Sequence, residues 1–219
     1  AVAPSSGDGV GITTTDLMGP HGYDAGECTA RFGGSSAAAP LAAGIFALLL
    51  SERPELTVRD IQHIVAQNKT HSHEFGFGPL IVSELLAKAK QHKLVKQPPT
   101  FVSVPSLAIN KLLIPTVDWL QIPLEVTESA TIERVMLTLT WNHGQRGQVQ
   151  VQLTSPSGST SILAATRRDR ASGTFTWTFS SLHHWGENTK GTWIVKLNDG
   201  KIDQYTGYVE RAKLDFIAN

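Results

Sequence analysis

Residues 33–50 open with small side chains and continue as a run in which Leu41, Ile45, Phe46, Leu48, Leu49 and Leu50 leave no polar face. A helix that is apolar all round is a buried one. Its apolar part is about 12 residues, short of the roughly 20 that cross a bilayer, and Pro40 suits a first helical turn, so the run predicts a core helix. Thr57 followed by Asp60 resembles a capping box that starts a second helix through Gln67, with Ile61, Ile64 and Val65 on one face. A third helix is expected over residues 80–90, with Leu80, Val82, Leu85, Leu86 and Ala89 on its apolar side. Ahead of these, residues 1–11 read as loop, 12–17 as a short strand and 21–32 as a surface loop without periodicity.

Residues 90–105 are rich in lysine and proline and carry no apolar period, which marks a domain boundary. Beyond it the period becomes two: Val135, Leu137, Leu139 and Trp141; Val149, Val151 and Leu153; Phe175, Trp177 and Phe179; Trp193, Val195 and Leu197. Such alternation predicts half-buried antiparallel strands, and turn-forming clusters at 142–147, 155–158, 186–191 and 198–200 punctuate them. About eight short strands of this kind suggest a β-sandwich or jelly roll. Trp141, Trp177 and Trp193 fall on the apolar positions and are expected in the core. Trp185, beside His183 and His184, is the place to look for a surface aromatic that could stack on a sugar.

With 219 residues, 41% hydrophobic and 17% charged, the chain can bury a sizeable core in one large or two small domains. Nineteen basic residues balance nineteen acidic ones, so nucleic acid and anionic membrane surfaces are not expected partners. No basic, apolar and small-residue leader opens the sequence and no 18-residue apolar run occurs, so neither a signal peptide nor a transmembrane segment is expected. The single cysteine, Cys28, fits a reduced protein or a secreted one whose other half-cystine lies elsewhere. Asn68-Lys69-Thr70 matches an N-glycosylation sequon. His71 and His73 have the chemistry of metal ligands or bases, but no carboxylate or cysteine cluster accompanies them at ligand spacing, and no metal site is expected.

At the mouth of the first helix two glycines permit close backbone approach, and two serine hydroxyls sit where unpaired N–H groups converge. A capped structural helix and a nucleophile both fit that description. The octapeptide Gly33-Gly34-Ser35-Ser36-Ala37-Ala38-Ala39-Pro40 resembles the serine motif of the subtilisin-like proteases, and the spacing from Pro40 selects Ser36. Together with residues 40–44, 56–63 and 72–78, it is similar to the kexin and furin-type proprotein convertases. Arg146-Gly147, residues 153–158, Trp185-Gly186-Glu187 and Gly191-Thr192-Trp193 resemble the P domain that follows the protease domain in that family.

The resemblance implies an α/β subtilisin-like domain, present as its C-terminal part, followed by an all-β jelly-roll sandwich. Its boundaries would be 1–92 for the protease part, 93–117 for a linker and first P-domain segment, and 118–219 for the P domain. Ser36 would be the nucleophile and its own N–H one oxyanion donor, with Gly34, Ser35, Ala37 and Pro40 supporting the motif. A convertase cysteine shortly before the serine motif pairs with one upstream, and Cys28 sits at the matching place. The segment 72–78 would be a turn into the last protease-domain helix.

By the same resemblance the parent protein would be a serine endopeptidase that cleaves precursor proteins after paired basic residues. It would need calcium, with ligands outside this chain, and would work in the secretory pathway from the Golgi onward or outside the cell. Protein or peptide substrates with basic cleavage sites, and the upstream part of its own protease domain, would be its partners. The sequence departs from the family at Phe32, Gly33 and Ser35, where convertases usually carry histidine and two threonines. The triad Asp and His should precede Ser36 by long intervals, and Asp8, Asp16, His21 and Asp24 do not stand in matching motifs. These residues alone are therefore expected not to cleave peptides, and the alternative is a non-catalytic convertase-like binding or scaffold protein.

Overall fold

The apolar run does fold as a helix, in a computed structural model that describes residues 1–67 and 71–219 of the chain. The sequon at Asn68 lies outside the described residues. The chain divides into two units, Ala1–Val95 and Lys96–Asn219.

In the first unit β1 (Ile12–Thr15) pairs antiparallel with β2 (Cys28–Phe32). The segment expected as loop at 28–32 is thus a strand. Five residues with only Thr29 buried are too few to register as an alternating pattern, and β1 supplies the partner that fixes them.

Helix α1 (Ser35–Glu52) starts five residues ahead of Pro40, which lies in its second turn rather than its first. A proline there has no N–H for the carbonyl four residues back, so the Ser36 carbonyl loses its helical donor. Only Ala37 and Leu49 of α1 are buried. The expected core helix is exposed because α3 is the main element packed against it. At 18 residues and a mean hydropathy of 1.4 it is long and apolar enough to cross a membrane, by length and composition alone.

Helix α2 (Val58–Ala66) opens with the expected capping box. The Asp60 N–H donates to Thr57 Oγ1 at 3.2 Å, while Asp60 Oδ2 accepts from the Thr57 N–H at 2.9 Å and its hydroxyl at 2.5 Å. The other oxygen accepts from His92 Nε2 at 2.9 Å and the Val95 N–H at 2.8 Å, tying the start of α2 to the segment after α3 (Val82–Gln91). Burial pushes the Asp60 carboxyl up, but the hydrogen bonds from Thr57, Val95 and His92 outweigh it and hold the group well below the usual carboxylate range. Before α3, Ser72 and Gly76 exchange backbone hydrogen bonds at 2.8 and 3.0 Å in a tight turn, and Val2 pairs alongside Pro79.

The second unit is a sandwich of two antiparallel sheets. Its strands are β3 (Thr100–Ser103), β4 (Leu107–Leu113), β5 (Leu120–Val126), β6 (Ile132–His143), β7 (Val149–Thr154), β8 (Thr160–Ala164), β9 (Gly173–Ser181), β10 (Gly191–Asp199) and β11 (Gly207–Ala218). One sheet has the order β5-β10-β7-β8; the other runs β3-β11-β6-β9, with β4 also on β11. Pro123 is tolerated because β5 is an edge strand with a free side. Leu137, Leu139, Leu153, Val195, Leu197, Leu214 and Phe216 meet between the sheets with essentially no exposed surface.

Two of the three aligned tryptophans follow expectation. Trp141 and Trp193 are buried, but Trp177 is 61% exposed. It does face inward, in register with Leu139, yet β9 is the edge of its sheet and no strand of the other sheet covers it fully.

Polar groups tie the loops to this core. His143 and Asp199, both fully buried, lie 3.2 Å apart; His143 Nδ1 accepts from the Gln145 N–H at 3.0 Å, so Nε2 is the donor to Asp199. At the other end of the sandwich the hydroxyls of Ser157 and Ser159 donate to Glu187 at 2.8 and 2.5 Å, with His184 Nδ1 at 3.4 Å. Burial raises the Glu187 carboxyl, but the bonds from His184, Ser155, Ser159 and Ser157 outweigh it and lower it from 4.5 to about 2. Because the folded value lies below the unfolded one, the stabilisation is fully present above pH 4.5 and lost as the pH falls toward 2. Glu187→Gln should therefore lower the thermal midpoint near neutral pH, by the equivalent of about 1–2 kcal/mol once solvent screening of this partly exposed group is allowed for. The gap to the parent chain should close on acidification, which melting curves between pH 7 and 2 will read; a gap independent of pH would contradict the assignment.

Candidate active site

A strand, a turn and a helix position Ser36. β2 ends at Phe32, Gly33 and Gly34 turn the chain, and α1 begins at Ser35. Gly34 adopts φ 73°, a left-handed conformation that favours glycine. Gly33 is required for a different reason: a Cβ there would lie 2.1 Å from Ser6 Oγ. Residues 5 and 6 close over the turn, the Ser5 hydroxyl donating to the Gly34 carbonyl at 2.6 Å and Ser6 Oγ accepting from the Gly34 N–H at 3.2 Å.

The first helical hydrogen bonds run from Ala37 and Ala38 to the Gly34 carbonyl, at 3.0 and 3.3 Å. The N–H groups of Ser35 and Ser36 are thereby left at the positive end of α1, where a developing negative charge is stabilised. Ser35 and Ser36 are exposed, and Ala37 is packed inward. The arrangement gives an accessible hydroxyl beside its own amide, which has no partner among the described residues.

The Ser36 hydroxyl has no hydrogen-bond partner among the described residues. Two of the acidic residues ahead of it are occupied locally: Asp16 accepts from the N–H groups of Leu17 and Asp24 at 2.8 and 2.9 Å, and Asp24 pairs with Arg31 at 2.5 Å. Hydrogen bonds from Thr29 and Arg31 hold the Asp24 carboxyl below its ordinary value. His21 is exposed on the loop before β2. His71 packs edge-on against Phe77 with ring centres 5.0 Å apart. Cys28 opens β2, exposed and with a free thiol. Among the described residues no three His, Cys, Asp or Glu side chains cluster closely enough to hold a metal ion.

The suggested sugar-stacking position is not an open platform. Trp185 is half-buried, and His184 is fully buried, hydrogen-bonded to Ser159 at 2.8 Å and edge-on to Trp193. The exposed aromatic that alternation missed is Trp177. Only its place on an edge strand distinguishes it from Trp141, and strand order is not written in the local pattern.

The subtilase family profile matches residues 2–78 and the proprotein convertase P-domain profile residues 132–216. The dibasic-processing endoprotease of Schizosaccharomyces pombe is 34% identical over 97% of this chain and 33% of its own length. Kexin of Saccharomyces cerevisiae is 34% identical over 93% of this chain and 28% of its own, and human proprotein convertase subtilisin/kexin type 7 is 35% identical over 91% and 28%. The chain thus spans about a third of the length of the curated relatives it matches. Among solved structures, the serine protease of Aeromonas sobria in complex with its chaperone superimposes with a TM-score of 0.82 at 19% identity, covering 98% of this chain and 52% of that one. The two profile matches, together with 34–35% identity to these relatives along more than nine-tenths of the chain, place it among the kexin-like proprotein convertases of the subtilase family, as a subtilase segment followed by a P domain.

Proposed function

We propose that Ser36 is the nucleophile of a serine endopeptidase that cleaves precursor proteins after paired basic residues. The observation that supports this reading is the exposed Ser36 hydroxyl beside its own N–H, unpaired among the described residues, at the head of α1. A serine hydroxyl becomes nucleophilic when a histidine takes its proton and a carboxylate orients that histidine. In this reading those two groups, a second oxyanion donor and the pockets for basic side chains come from an upstream part of the catalytic domain. The same part would cover the apolar faces of α1 and supply the partner of Cys28.

Attack by Ser36 Oγ on the scissile carbonyl builds negative charge on its oxygen. The Ser36 N–H and the positive end of α1 stabilise that charge without reorganising. Substrates would be proteins or peptides bearing basic cleavage sites, as the name of the fission yeast relative indicates for that enzyme. The protein would also require calcium and work in the secretory pathway or outside the cell.

The test is expression of the product extended upstream along its own transcript, with calcium, against a fluorogenic dibasic peptide and the same peptide with alanines in place of the basic pair. Cleavage of the first alone is expected. A folded extended protein that cleaves neither would overturn the reading and leave a non-catalytic binding role.

A further inference from the structure

The two sheets of the sandwich part between their edge strands β8 and β9, leaving a cleft of about 730 Å³. That volume lies within the usual range for small-molecule sites. Trp141, Phe175, Trp177 and Phe179 line one side, Val151 and Leu163 the other. The Trp141 indole N–H is buried and has no acceptor among the described residues, although buried donors are nearly always paired.

One end of the cleft is basic. The Arg146 guanidinium lies 4.6 Å from the centre of the Phe175 ring and reaches Asp169 at 2.7 Å. Arg167 shares the same carboxylate at 3.2 Å. An adjoining hollow shares Arg167 and Asp169 with the cleft and adds Arg168, Arg170 and Lys201. Asp203, held by Gln148 Nε2 at 2.6 Å, and Asp199, which accepts from the Lys201 N–H at 3.2 Å, are further carboxylates nearby. Five cations thus face three carboxylates beside an aromatic slot.

We propose that this cleft is a binding site for a small amphipathic acid, with an aromatic or aliphatic body between Trp177 and Leu163 and a carboxylate at Arg146 and Arg167. An apolar body removes the ring faces from water, and a guanidinium recognises a carboxylate through paired N–H donors. An oxygen near the floor also offers an acceptor to Trp141. The proposal is independent of Ser36 and of any protease activity.

The test uses the 219-residue chain with 4-phenylbutyrate and its neutral counterpart 4-phenylbutanol, read by calorimetry and tryptophan fluorescence. Saturable binding of one phenylbutyrate is expected, with the alcohol weaker by about tenfold, the scale of a charge-assisted pair. Arg146→Gln should bring the two ligands close to parity, and Leu163→Trp should abolish binding of both by filling the slot. Trp177→Ala, at an exposed position that leaves the core packing in place, should weaken both and guards against a folding defect in the filled variant. Absence of saturable binding, equal affinity for acid and alcohol in the parent chain, or undiminished binding by Trp177→Ala would overturn the assignment.

Discussion

Ser36→Ala in the upstream-extended, calcium-supplied protein is expected to lower kcat on a dibasic peptide by about 10⁶-fold, the scale on which removal of a serine nucleophile acts. KM should change little, because the hydroxyl makes and breaks the acyl bond rather than holding the peptide. Residual turnover would come from the oxyanion donors and substrate binding alone. Stability should be unaffected: Ser36 is exposed, its hydroxyl has no partner among the described residues, and alanine is at least as good a helix former. Ser35→Ala is the matched control, one residue away on the same turn, and should retain most of the activity. Initial-rate kinetics on the three proteins, with far-ultraviolet circular dichroism to confirm folding, decide the matter. Full activity in Ser36→Ala would place the nucleophile elsewhere.

Trp193→Ala should be the most damaging single change to the sandwich. The side chain has no exposed surface, its indole N–H donates to the Thr189 carbonyl at 2.8 Å, and its ring meets His184 and Phe216 at 5.0 and 5.3 Å. Truncation removes the largest fully buried side chain and leaves a cavity between two sheets that are each tied by long ladders. Large-to-small changes of this kind cost about 3–5 kcal/mol. For a unit of this size that corresponds to a fall in its melting midpoint of roughly 10–20 °C. Thermal melts followed in the near-ultraviolet, where tryptophan packing reports, are the measurement; a shift of only a few degrees would mean that the sheets close over the gap.

The sequence made the three helices and most of the sandwich readable because each rests on a local rule. The capping box at Thr57 and Asp60 appears at the positions its spacing predicts, and the period-two runs fall on β6, β7, β9 and β10. What escaped depended on partners far along the chain. β2 exists because β1 lies beside it, and Trp177 is exposed because β9 has a neighbour on one side only. Pro40 sits a turn deeper than its residue type suggests, since the helix begins at the glycine turn rather than at the proline. The fourfold role of Asp60 was half visible: its bonds to Thr57 follow from spacing, those to His92 and Val95 do not. At the candidate site the glycine turn and the helix start at Ser35 follow from the local motif, whereas a triad is a relation between distant segments.

On its outward face the edge strand β9 is fastened by side chains: Thr178 to Thr138 at 2.8 Å, Thr176 to Thr140 at 3.0 Å, and Thr174 to Asn142 at 3.0 Å. These rungs alternate with Phe179, Trp177 and Phe175, which face Leu137, Leu139 and Trp141 on the inward side. A slip of one residue would present every hydroxyl to the apolar interior and every ring to water. The three rungs therefore act as a vernier: a wet surface sets the alignment of a dry one, to a tolerance of a single residue.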